Sequence, residues 1–264
     1  MKVLKLFIIL FAILIECFLS SIAEAGSISF CNDTYSATQI IIIPPTGGSN
    51  ILDRSLKSSL CDLNFTVAIL DNLHLEFDNI KEDLNIHDQY SIKFLKALHL
   101  VIKAEKRKTI LIGASLGGVF ASLAFSRNHS LFDDLIIGAV IVAAGGPLHE
   151  IVASSQLPKL KALFERRKRA GMVSQHADYS YLLMDSIELD NIKWSQPQYR
   201  SELLFIITMQ DDVMPVLNQR KLLEAFGNPK HYALNMGHLM GISYAYIFMV
   251  SDISEFIEKT IRKY

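Results

Sequence analysis

The chain is short of several things, and each shortage excludes a class of protein. Cysteine occurs three times in 264 residues, too rarely for a fold built on disulfides. Neither sign of charge dominates: 26 Lys and Arg stand against 27 Asp and Glu, for a formal charge of −1. A chain without a strongly basic surface is not built to take nucleic acid as its main partner. Half of the residues are hydrophobic and a fifth are charged, which excludes intrinsic disorder. Internal repeats, low-complexity tracts and long linkers are missing as well. What remains is enough chain for one domain of roughly 200–250 residues.

The first 25 residues stand apart. Lys2 and Lys5 precede an unbroken apolar run over residues 6–15, and Ala23-Glu24-Ala25 supplies a small-x-small cleavage pattern. These features predict a signal peptide over residues 1–25, cleavage before Gly26, and a secreted or periplasmic product. The alternative is an uncleaved N-terminus that anchors the chain. The run stops at Glu16, short of the roughly 20 apolar residues that a span needs, so no stable span is expected after cleavage. Glu16 also stands where a lipoprotein signal would place a small residue before Cys17. Two cysteines remain, Cys31 and Cys61. In an oxidising compartment they are a candidate disulfide, closing a loop of about 30 residues and worth about 3 kcal/mol in the chain-entropy model; the alternative is two buried thiols. Three glycosylation sequons begin at Asn32, Asn64 and Asn128 and matter only in a host that glycosylates secreted proteins.

From residue 26 onward the pattern is an alternation. Continuous Ile, Leu and Val runs at 39–43, 65–70, 109–113, 135–143, 203–208 and 231–234 read as strands. Helical spacing falls at 51–60, 87–104, 116–125, 217–226 and 244–261. Apolar strands alternating with helices predict an α/β domain over residues 26–264, with a mostly parallel sheet covered on both faces. Residues 148–194 break the alternation and read as a small helical cap over the sheet's carboxyl edge. Within them Glu165-Arg166-Arg167-Lys168-Arg169 is either a solvated helix face or a surface for an anionic partner or membrane.

The chemistry concentrates after the third strand. Gly113-Ala114-Ser115-Leu116-Gly117-Gly118 is G-x-S-x-G between an apolar strand and a helix. A nucleophilic serine must stand exposed on a tight turn, and Gly113 and Gly117 remove side chains that would clash there. The helix behind it turns its N-terminal amides toward a developing oxyanion. Such a serine needs a base, and the base needs an orienting acid. Here the sequence resembles the α/β-hydrolase family, whose triad runs serine, acid, histidine along the chain. Asp211-Asp212-Val213-Met214-Pro215 is similar to that family's acid turn, making Asp211 the acid and Asp212 the alternative, with Asp212 otherwise expected to cap the next helix. Asn235-Met236-Gly237-His238 is similar to its histidine loop, making His238 the base.

The resemblance also implies an oxyanion hole of two backbone N–H groups, Leu116 and one from the loop after the first strand. Pro44-Pro45 replaces the His-Gly with which the family often opens that loop, and proline has no N–H, so Thr46 is the expected donor and Gly47 the fallback. His149-Glu150 lacks a second histidine at zinc-site spacing, so no metal is implied, and neither is a cofactor. The resemblance spans about residues 36–264. It implies a serine hydrolase cleaving a carboxylic ester, or a related acyl bond, of a small-molecule or lipid-like substrate. A peptidase or thioesterase of the same fold and a non-catalytic binding protein on that scaffold are the alternatives.

Overall fold

The computed structural model describes residues 29–32, 36–45, 48–71 and 86–264. The signal peptide and its cleavage site lie outside the described residues. Six strands form one sheet: β1 (Thr38–Ile43), β2 (Val67–Ile69), β3 (Lys108–Ala114), β4 (Ile136–Val142), β5 (Leu203–Thr208) and β6 (Lys230–Leu234). Their order is β2-β1-β3-β4-β5-β6 and every pairing is parallel.

Strand periodicity sorts the core into two layers. Successive side chains on a strand point to opposite faces. Ile41, Ile43, Leu111, Ile141 and Phe205 therefore join one apolar cluster, with α2 (Ile86–Glu105), α3 (Leu116–Ser126) and α8 (Val216–Ala225). Their neighbours Ile40, Ile42, Ile110, Val140 and Leu204 join the other, with α1 (Ile51–Asp62), α9 (His238–Phe248) and α10 (Val250–Ile261). Both faces need apolar cover, which is why the strands read as unbroken Ile, Leu and Val rather than as an alternation. The chain runs outward from β1 to β2 and then returns to the other side of β1 for β3. Such a reversal leaves a crevice at the carboxyl ends of the strands.

A four-residue helix, α4 (Asn128–Leu131), precedes β4, and a short 3₁₀ helix (Pro197–Glu202) leads into β5. Neither has a sequence signal of its own. The segment between β4 and β5 holds α5 (Leu148–Ser154), α6 (Pro158–Arg169) and α7 (His176–Ser186). The charge run on α6 is only partly a solvated face. Arg167 is fully buried, its guanidinium donating to the Tyr179 hydroxyl at 2.6 Å. One expectation fails at the C-terminus. Residues 244–261 are not one helix: α9 starts six residues earlier, at His238, and ends before Met249, after which α10 begins. The α9 stretch carries no Asp, Glu, Lys or Arg, so no amphipathic pattern marks its start.

Cys31 and Cys61 are joined as a disulfide that ties the segment before β1 to the last turn of α1. Of the sequon asparagines, Asn64 is exposed, whereas the Asn128 amide is engaged in both directions by the Ile136 backbone. No helix among the described residues is long and apolar enough to cross a membrane.

Candidate active site

Ser115 sits between β3 and α3 with φ +55 and ψ −125, in the left-handed half of backbone space that non-glycine residues avoid. The surroundings hold it there. Its N–H donates to the Val142 carbonyl at 2.9 Å, and its own carbonyl accepts from Gly118 and Val119. The turn is compressed backbone against backbone. A Cβ on Gly113 would overlap the Gly117 carbonyl, and a Cβ on Gly117 would overlap the Ile43 and Pro44 carbonyl oxygens. Gly118 meets the Ala144 methyl in the same way. Only glycine lets α3 start so close to the ends of β1 and β4.

His238 is the first residue of α9, just beyond β6. Its Nε2 lies 2.9 Å from Ser115 Oγ and its Nδ1 lies 2.7 Å from Asp211 Oδ2. A carboxylate only accepts, so Nδ1 carries the proton and Nε2 is left to accept from the serine hydroxyl. Asp211 is almost fully buried, and five donors reach its two oxygens. Oδ1 takes the N–H groups of Val213 and Met214; Oδ2 takes His238, the Thr208 hydroxyl at 2.6 Å and the Gln219 amide at 3.1 Å. This dense set of donors is what keeps a buried carboxylate charged. Asp212 is exposed and does not reach His238. Nor does it cap α8, whose N-cap is Pro215; its carbonyl instead accepts from the Gln156 N–H. Thr208 and Gln219 have no motif to announce them.

Of the expected oxyanion donors, Leu116 is the first residue of α3, so its N–H has no acceptor within the helix and is open to a ligand. Thr46 and Gly47 lie outside the described residues. The far end of their loop is fastened: the N–H and hydroxyl of Ser49 both donate to Asp71, and Asn50 caps α1 in a capping box with Asp53. Burial pushes the Asp53 carboxyl up to about 7.

A cavity of roughly 240 Å³ opens beside Ser115 and His238. Its walls are mostly apolar, and the helical insert supplies Leu148, Ile151, Val152, Leu157 and Leu160. His87 is the polar exception. Burial, and secondarily the positive charge of Arg167, push its pKa down to about 3, so its ring is neutral. His149 lies beside Asp190 at 3.6 Å, away from any second histidine, and no three-residue metal-ligating cluster occurs among the described residues.

No protein-family model and no curated protein sequence matches the chain. Solved structures do. An esterase from Pyrococcus furiosus superposes with a TM-score of 0.54 at 16% identity, covering 88% of this chain and 86% of its own. Est1E from Butyrivibrio proteoclasticus gives 0.58 at 14% identity, over 89% and 93% of the two chains. A structure from the study of LipS and LipT, two metagenome-derived lipolytic enzymes, gives 0.57 at 14% identity, over 90% and 100%. With the six-stranded parallel sheet, these likenesses show that the chain has the α/β-hydrolase fold.

Proposed function

We propose that this chain is a serine hydrolase that cleaves a carboxylic ester through an acyl-enzyme. One observation carries the reading: the unbroken hydrogen-bonded line from Ser115 Oγ through the His238 ring to Asp211, at 2.9 and 2.7 Å, on the wall of an apolar cavity. The fold shared with two named esterases and a lipolytic enzyme supports it.

In this reading His238 Nε2 takes the Ser115 proton as Oγ attacks the ester carbonyl. The oxyanion is held by the Leu116 N–H and by a donor from the loop after β1, Thr46 in the first instance, each worth about 3 kcal/mol. The imidazolium, steadied by Asp211, returns its proton to the departing alkoxide. Water, activated by the same ring, then attacks the acyl-enzyme and frees the acid and Ser115. The insert acts as a cap that gives the substrate its apolar wall. An ester is favoured because its leaving group needs less help than an amine. The N-terminal pattern supports export with residues 1–25 removed.

The test is burst kinetics with p-nitrophenyl esters from acetate to palmitate. A burst followed by turnover is expected in the wild type, and Ser115→Ala should lower turnover by about 10⁴-fold or more while leaving the melting temperature unchanged. Full activity in Ser115→Ala would move the nucleophile elsewhere. Absence of a burst together with no fluorophosphonate labelling at Ser115 would favour a binding protein on a hydrolase scaffold.

A further inference from the structure

The acyl-transfer reading leaves one polar group in the cavity without a task. His87, in the first turn of α2, lines the cavity and is only 6% exposed. Its Nε2 is buried and has no hydrogen-bond partner among the described residues. A buried polar atom without a partner is uncommon, and a ligand that supplies one recovers what burial cost. Because the ring is held neutral, it offers Nε2 as either a donor or an acceptor, according to its tautomer. A hydroxyl satisfies both cases, since it can accept from N–H or donate to a bare nitrogen. Few polar groups on an otherwise apolar wall are what give such cavities their selectivity.

The fold says which part of an ester would meet His87. His238 must hand its proton to the leaving alcohol, so that limb lies beside α9. Helix α9 packs on one face of the sheet and α2 on the other. The acyl limb, directed away from His238, therefore runs along the wall that α2 builds with Phe120, Leu148 and Ile151. Resting on the esterase reading above, we propose that His87 Nε2 hydrogen-bonds an oxygen on the acyl chain, so that the preferred substrates are esters of hydroxylated acids rather than of plain fatty acids.

The experiment compares p-nitrophenyl octanoate with its monohydroxylated isomers, the hydroxyl placed at each carbon from the third to the eighth. Wild type, His87→Leu and His87→Asn are measured on all of them. In the wild type at least one isomer should exceed octanoate in kcat/KM by about tenfold or more. In His87→Leu that ratio should fall to about one or below while octanoate itself is still turned over. His87→Asn, which keeps hydrogen-bonding atoms near the same place, should recover part of the preference. If no isomer is preferred by the wild type, or if the ratio is the same in His87→Leu, the inference is overturned. Octanoate turnover and fluorophosphonate labelling of Ser115 are read in every sample. Labelling with no hydroxyl preference sinks only the role of His87, whereas a wild type that is neither labelled nor active sinks the esterase reading with it. Should His87→Leu fail to fold, the wild-type preference and its partial retention in His87→Asn decide the matter.

Discussion

The carboxyl edge of the sheet and the helical insert face each other across one cavity, but different forces hold them. The sheet edge is fixed by apolar burial and by backbone packed on backbone: β3 and β4 are buried almost end to end, and Gly113, Gly117 and Gly118 leave no room for a methyl group. The insert is fixed by a few buried polar side chains. Asp190 accepts from the Leu148 and Ile192 N–H groups, Asn191 donates to Ser122 and to the Gly145 carbonyl, and Arg167 donates to Tyr179. Burial without direction suits a scaffold that must not move. Directional bonds suit a segment whose position over the cavity matters more than its strength.

Four substitutions probe this contrast, in decreasing order of expected effect. Asp211→Asn should cut kcat by about 10⁴-fold with little loss of stability, whereas exposed Asp212→Asn should stay within about threefold of wild type. The reverse order would reassign the acid. Gly117→Ala forces a methyl into the Ile43 and Pro44 carbonyls and should cost about 3 kcal/mol or more in urea unfolding. A cost below about 1 kcal/mol would show that the turn yields and that the rigid half is not rigid. Asp190→Ala strands two backbone donors and should cost about 1–3 kcal/mol. Amide exchange in α5 and α7 should speed up while β3 and β4 stay protected; equal acceleration in the sheet would make the two regions one cooperative unit. Gly171→Ala, in the insert at φ +73 with open space around it, should cost only about 1 kcal/mol for its backbone angle. A cost matching that of Gly117→Ala would erase the contrast.

The same division decides what was legible in the sequence. The strands could be read because a sheet covered on both faces demands unbroken apolar runs, and 39–43, 109–113 and 203–208 supply them. Ser115 could be read because its turn needs glycine on both sides, and the chemistry of that turn leaves a pattern. Thr208 and Gln219, which complete the Asp211 environment, have no such pattern, since any segment can bring a hydroxyl or an amide to a carboxylate. His87 was equally invisible: one histidine in a helical stretch says nothing about which way its ring faces. Arg167 misled, because a run of like charges reads as solvated until a Tyr179 eleven to twelve residues on folds over one of them. The start of α9 was lost because a helix without charges has no polar face to give its period away.

The position of β6 has a consequence of its own. It is the edge strand, paired only with β5, and none of its five residues is buried, in contrast to β3 at the centre of the sheet. Yet β6 is the strand that delivers His238 to Ser115. Edge elements open locally at lower free energy than the centre of a sheet. The serine is thus anchored in the most durable part of the molecule and its base in one of the least. On warming, the pairing between them is lost while the central strands still stand, so the working lifetime of the site is set by the rim of the sheet rather than by its core.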